Sequence, residues 1–443
     1  MAMDVPLFML DRDVARAASL SALALARLAR GEIIEVSPLS RLRRVSTKET
    51  WLELEGAKDP LAAPMRPWIA RLTLDRVLWA DQVRLAAAWN AASIHVEEPG
   101  LPPLTTSPRA LLARVIADPE PARRRTLADA LAHGAGSAAD AARILAERRA
   151  EAARLFGADL DALEIPCEPR ASLASIAERV LVETAPALRQ ASRWDEALFT
   201  SLAREAGEGW PSRMSARWLF DLFHAGPLLE GLRLDLPPLP ASIGAASFAR
   251  ALRSFGAALA REDGPRSAPF VIAHPPFDAR VERRAALFAG LAADPVFTAR
   301  ALGLGRDRAR DQARAVARAL ALSLRLDAAR VLCRGALLLP GRQGATRFEE
   351  RTFDAIGAPI PAALAGLVPR LGPGDPARLV GAIAAAHDRR ALVERFDEDW
   401  FRSPHAAQAI REEDAALPAS PSIAEATLSE GLTEIGRALG DLV

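Results

Sequence analysis

Six histidines and two cysteines are the residues of this chain best suited to metal or acid–base chemistry, and their spacing suits neither. His95, His133, His224, His274, His387 and His405 are followed by Val, Gly, Ala, Pro, Asp and Ala, so none opens a HExxH motif. No two of them fall within one helical turn, whereas a zinc centre of the histidine type draws on ligands close together on one helix. Such a centre would have to be assembled from distant segments, with His224, His274, His387 and Glu394 as the set able to build a hydrolase-like site. Cys167 and Cys333 form no metal knuckle or disulfide framework, and Cys333, inside the apolar run VLCRG, reads as a small core residue.

Other catalytic patterns are equally absent. There is no GxSxG elbow, and neither Lys48 nor Lys58 follows a glycine, so a Walker A loop cannot be formed. GLGRDR, from Gly303, resembles the opening of a dinucleotide fingerprint, but Arg308 stands where the third glycine is needed. No catalytic, metal or cofactor residue is assigned, and no cofactor is expected. What Gly303 and Gly305 do offer is a helix start whose free N–H groups and dipole favour an anion or nucleotide, with Arg306 and Arg308 beside it. The competing reading is a tight turn capped by Asp307. The acidic run Glu394, Asp397, Glu398 and Asp399 lacks the glycine spacing of a calcium loop and reads as a helix end pinned by Trp400 and Phe401.

The elements that must position these residues are overwhelmingly helical. Half of the 443 residues are apolar and 26% are charged, the balance of a globular chain. With a net charge of +1 there is no overall field to gather nucleic acid or an anionic membrane, and no nucleic-acid motif stands out. The 55 arginines against two lysines, one asparagine and no tyrosine are the mark of GC-rich coding rather than of function. The N-terminal segment LSALALARLA is short and follows Asp11 and Asp13, so it reads as a helix and not as a signal peptide. No run reaches the length of a membrane span, and a cytoplasmic location is expected.

Along the chain, a helix from Asp11 to Arg30 is stopped by Gly31, and Met65 to Asn90 reads as one helix with Trp68, Leu72, Trp79 and Val83 on one face. EIIEV, Glu32 to Val36, is either extended or a linker. Glu97 to Pro108 is a linker ending in Ser107 as N-cap and Pro108 at the first helical position. Ser137 is expected to cap the next helix, closed by Gly157. PFVIA, Pro269 to Ala273, is the best candidate strand, and GRQGATRFEERTF, from Gly341, reads as a hairpin or irregular excursion. The centre is a long helix over 306–338, whose uncharged stretch Ala319 to Leu324 is expected to be buried on all sides. The linkers divide the chain into an N-terminal helical region (1–96), a helical segment (97–160), a main body (161–417) and a C-terminal tail helix (418–443).

Two stretches, RRAEAARLFG (Arg148 to Gly157) and FDEDWFRSPHAAQAI (Phe396 to Ile410), resemble helical metallopeptidases of the oligoendopeptidase kind. The resemblance implies a mainly α fold of long helices. It also implies chemistry based on a HExxH helix, a later glutamate ligand and Tyr or His groups for the oxyanion, none of which can be carried over onto this sequence. The expectation is therefore a mainly α protein, an extended multi-helix body around a long buried helix, acting as a non-catalytic intracellular scaffold with a protein partner. Its expected partner face is the tryptophan-rich segment carrying Trp210, Arg213, Arg217 and Trp218.

Overall fold

A computed structural model of the chain describes residues 7–97, 102–157, 173–188, 191–202, 215–223, 244–262, 268–416 and 423–440, together with Trp210, Leu228 and Leu236. The fold is mainly α. Its first part comprises α1 (Leu7–Ala29), α2 (Lys48–Glu55), α3 (Ala62–Val77), α4 (Trp79–Asn90), α5 (Pro108–Ala117), α6 (Pro121–Gly134) and α7 (Gly136–Arg154). There follow α8 (Leu173–Glu183), α9 (Trp194–Leu202), α10 (Ala216–Phe223), α11 (Ala245–Glu262) and the single turn α12 (Phe270–Ala273). The last part holds α13 (Ala279–Leu291), α14 (Pro295–Leu302), α15 (Arg306–Ala336), α16 (Gly341–Ile356), α17 (Asp375–Phe396), α18 (Pro404–Ala416) and α19 (Glu425–Gly440).

Many of the expected boundaries stand. Gly31 ends α1 with φ 95°, Ser107 accepts a hydrogen bond from the Ala110 amide at the start of α5, and Gly157 follows α7 with φ 66°. Five expectations are corrected. The Met65–Asn90 segment breaks at Leu78, and its two halves face different ways: Trp68 packs with Phe270, while Trp79 packs with Ala24 and Leu28 of α1. The supposed linker Glu97 to Pro108 includes strand β2 (Leu104–Thr106), paired antiparallel with β1 (Ile94–Val96) just before it, in the register His95 to Thr105. Ser137 lies inside the first turn of α7 rather than capping it. PFVIA is the helical turn α12, because the buried Asp11 carboxylate accepts both the Phe270 and the Val271 amides at 2.9 Å and so caps it. Finally, GRQGATRFEERTF is helix α16, whose Phe348, Thr352 and Ile356 are buried at a spacing of four.

The long helix α15 spans 31 residues and is shared by the two largest apolar clusters. Its N-terminal half gives Val316 and Ala319 to a cluster built from the phenylalanines of α10, α11, α13 and α14. Within that cluster Phe223 stacks on Phe255 at 4.6 Å and meets Phe288 edge-on at 5.5 Å. Such pairs contribute about 0.5–1.5 kcal/mol each beyond the area they bury. Its C-terminal half enters the main core with α5 to α9, α16 and α17. The belt buried on all sides is not where the sequence placed it. Ser323 is exposed and Leu320 half-buried, and the uninterrupted buried run is Leu324 to Ala329.

On one flank, α11, α13, α17 and α19 stack in succession, each pair brought into backbone contact by a glycine. A Cβ on Gly256 would stand 2.6 Å from Arg284 O, one on Gly381 2.7 Å from Arg283 N, and one on Gly431 2.2 Å from Ile383 O. Side chains at these three positions would wedge the helices apart.

Among the described residues no single helix is long and apolar enough to cross a membrane. The bent pair α13 and α14, at 72°, passes that test only when taken together.

Candidate functional site

The stacked helices, α14 and α15 line a cavity of about 500 Å³. Its wall is largely small and apolar, with Ala286, Ala289, Ala317, Ala321 and Ala385 contributed by α13, α15 and α17. Alanines at these positions keep the helices well formed while leaving open space that larger side chains would fill.

Charge is brought to this space by Arg253 of α11, Asp327 of α15, Arg389 of α17 and Glu434 of α19, among others, and behind the first two lies a network of ion pairs. Arg253 of α11 pairs with Glu282 of α13, both half-buried, and Asp327 of α15 pairs with Arg330 and lies 3.8 Å from Arg378 of α17. Asp327 is 3% exposed. Burial pushes its carboxyl up, Arg330, Arg378 and Arg253 pull it back, and Glu282 adds to the upward push. These groups therefore feel one another and form one network. Asp375, at the start of α17, adjoins it. Burial pushes this carboxyl up to about 6, against the Gly372 amide that donates to it at 2.7 Å. Glu282, Asp327 and Asp375 are thus balanced by Arg253, Arg330 and Arg378.

The arrangement lacks the ligands of a zinc site. Among the described residues, no three His, Cys, Asp or Glu side chains come together to hold a metal ion. The Glu282 and Asp327 carboxylates each have an arginine in their coordinating space. The residues present do not fit zinc. Cys333 is no nucleophile either, since it is fully buried and its thiol is pushed up to about 12.

The residues singled out from sequence are dispersed. His224 and Arg213 lie outside the described residues, as does Cys167. His387, on α17, meets Glu430 of α19 at 3.0 Å, whereas Glu394, two turns on, pairs with Arg390. His274 ends α12, half-buried beside the Phe270 ring, with its carbonyl accepting the Trp68 indole N–H at 2.7 Å. Each has a different partner. Gly303 ends α14 with φ 64° and Gly305 stands at the N-cap of α15, with Arg306, Asp307 and Arg308 exposed. Asp307 is turned toward Arg310 at 4.0 Å. In the tryptophan-rich segment, the Trp210 and Trp218 rings both lie against Phe248 of α11, at 5.5 and 6.2 Å, while Arg217 is exposed and 3.8 Å from Asp221.

The charged network itself was missed from sequence, although α15 carried a signal for it. Asp327 falls in helical register with Leu320, Leu324 and Val331, so it is a carboxylate on an apolar stripe. Arg325 is likewise in register with Leu322 and Ala329. A charge on an apolar stripe is a buried, partnered charge.

No family model matches the chain, and no curated protein sequence matches it. Among solved structures the chain is similar to a Bacillus anthracis str. Ames protein assigned as an oligoendopeptidase F, at 11% identity and a TM-score of 0.54. The match covers 99% of this chain and 87% of that one. At this identity the likeness is one of fold, and it extends the similarity seen in two short stretches to nearly the whole length: the chain has a helical, oligoendopeptidase-like fold.

Proposed function

We propose that this protein is a non-catalytic helical interaction protein that uses a metallopeptidase-like scaffold without a metal centre. The observation that carries the reading is the Arg253–Glu282 pair. The resemblance implies a helix with ligands four residues apart and a later glutamate from elsewhere in the chain. In this chain Glu282 of α13 reaches across to the face of α11, and what it meets there is Arg253, with Ala257 four positions further on. A guanidinium supplies positive charge to such a carboxylate but has no open coordination position at which a water could be activated. The surrounding balance of three carboxylates and three guanidiniums supports the same reading.

Two measurements test it. Purified full-length protein, incubated with zinc and desalted, is expected to carry far less than one equivalent of metal and to leave peptides intact. The double variant Arg253→His, Ala257→His is expected to gain a zinc equivalent that Glu282→Gln then removes. Near-stoichiometric zinc with peptide hydrolysis in the unsubstituted protein would overturn the proposal.

The proposed partner face is the tryptophan-rich segment around α10 that carries Trp210, Arg217 and Trp218, with Arg213 of the same segment of the sequence lying outside the described residues. Trp218→Ala and Arg217→Ala are expected to weaken recovery of the partner in a pull-down. Full retention in both variants would dismiss this face. We place the protein in the cytoplasm, where a free thiol such as that of Cys333 stays reduced.

A further inference from the structure

In the alanine-lined cavity, each charged residue of the wall has an opposite charge within 4.0 Å. Arg253 pairs with Glu282, Asp327 with Arg330, Arg389 with Asp294 at 2.9 Å, and Glu434 with Arg437. Arg310 and Arg314, both exposed, lie 4.0 and 3.8 Å from Asp307 and Asp311. A charged ligand would have to break one of these pairs or be buried without a partner, and either is costly. An uncharged ligand leaves them intact.

Between the pairs the wall is aliphatic. Beyond the alanines it is completed by Leu287, Leu324 and Leu439, all buried, with Leu320 and Ile435 half-buried. Water against such a wall has few partners, so an apolar body gains by displacing it. One end is different. A recess lined mainly by charged side chains adjoins the cavity and shares Pro295, Arg389, Glu434 and Arg437 with it. Glu434 is 5% exposed and accepts two N–H groups from Arg437, which leaves lone pairs on its carboxylate. Arg389 gives one N–H group to Asp294 and carries further donors. A hydroxyl can donate to the carboxylate and accept from the guanidinium without disturbing either ion pair.

We propose that this cavity binds an uncharged aliphatic molecule ending in one hydroxyl, with its chain against the alanines and leucines and its polar end at Arg389 and Glu434. At about 500 Å³ the space lies within the usual range for small-molecule sites, roughly 300–1,000 Å³, and suits a single chain rather than a peptide of several residues. The proposal goes beyond the metal-free reading and does not rest on it: binding is measured without zinc, and either can fail alone.

Calorimetric titration of the full chain at neutral pH with octanol, octanoate, octylammonium and propanol provides the test. Saturable binding is expected for octanol. Octanoate and octylammonium, which have the same chain, are each expected to bind at least about tenfold more weakly, because their charges find no free partner. Propanol is expected to lose at least about tenfold for want of chain. Ala386→Leu on α17 and Ala438→Leu on α19 fill the cavity from two helices at half-buried wall positions. Leucine keeps a helix well formed, so each variant is expected to weaken octanol about tenfold or more with an unchanged circular dichroism spectrum. No saturable octanol binding, octanoate, octylammonium or propanol binding as tightly as octanol, or full affinity in both variants would each overturn the proposal.

Discussion

Replacing Arg325 by methionine is the sharpest test of how α15 holds the fold together. Arg325 is 2% exposed, and its guanidinium reaches the ends of two helices. Nη1 donates to Leu181 O at 2.6 Å and to Thr184 Oγ1 at 2.7 Å, at the end of α8, while Nε donates to Ala355 O at 2.7 Å and Nη2 to Asp354 O, at the end of α16. Carbonyls in a last helical turn have no partner within their own helix. A cation there also meets the negative end of each dipole. Hydrogen bonds to a charged donor contribute about 1.5–3 kcal/mol each, so the gross stabilisation is on the order of 6–12 kcal/mol. Against this stands the cost of burying the guanidinium, visible in its lowered pKa of about 10. Methionine fills much of the volume and escapes that cost, but leaves three carbonyls buried without donors, at about 1–3 kcal/mol each. The expected net loss is about 3–5 kcal/mol, read as a shift of the urea midpoint in far-UV circular dichroism. Arg325→Lys is expected to recover only part of it, because an ammonium cannot span both helix ends. A loss below about 1 kcal/mol for the methionine variant, or full recovery by lysine, would refute the argument that this guanidinium caps two helices.

Asp375 gives a pH dependence of definite sign. Its folded pKa is raised to about 6, so between its ordinary value and about 6 the folded state holds more protons than the unfolded one, and stability from this group falls as pH rises through that window. Asp375→Asn is expected to flatten that slope and to raise stability at neutral pH by about 1–3 kcal/mol, measured by urea unfolding from pH 4 to 8; an unchanged slope would exclude Asp375 as its source. In a Cys167→Ser background, Cys333 is expected to resist a thiol reagent until urea unfolds the protein, given its burial and a thiol pushed up to about 12. Rapid labelling of the folded protein would show that its site opens. Gly431→Ala puts a methyl into the backbone of Ile383 and is expected to cost about 1–3 kcal/mol and to speed hydrogen exchange across residues 425–440. Unaltered exchange there would mean that α19 is not keyed to α17 as described.

How far the sequence could be read depended on whether a segment's partners lay next to it. Gly31, Ser107 with Pro108, and Gly157 act through their own backbone, and all are legible. PFVIA is not, since by composition it is a strand and only the carboxylate of Asp11, far away in the chain, turns it into a helical start. The break at Leu78 is also tertiary in origin: Trp68 and Trp79 are drawn into different clusters, and no local residue says so. The candidate site was hidden for a related reason. Arg253, Glu282, Asp327 and Arg378 each stand alone on a helix, and only the packing of α11, α13, α15 and α17 makes them one group. Charges in helices are ordinarily read as solvated. Those on apolar stripes were the exceptions.

The glycine contacts through α11, α13, α17 and α19 carry a mechanical consequence. Helices that meet through interleaved side chains can slide by small amounts, one rotamer change at a time, which is how shear motions proceed. Where backbone touches backbone at Gly256, Gly381 and Gly431, there is no side chain to rearrange and a small slip runs into main-chain atoms. These four helices therefore move as one plate. Any widening of the cavity they line has to come from rotation at the segments that join the plate to its surroundings, so a binding event there would be felt as a hinge at the plate's edge rather than as a loosening within it.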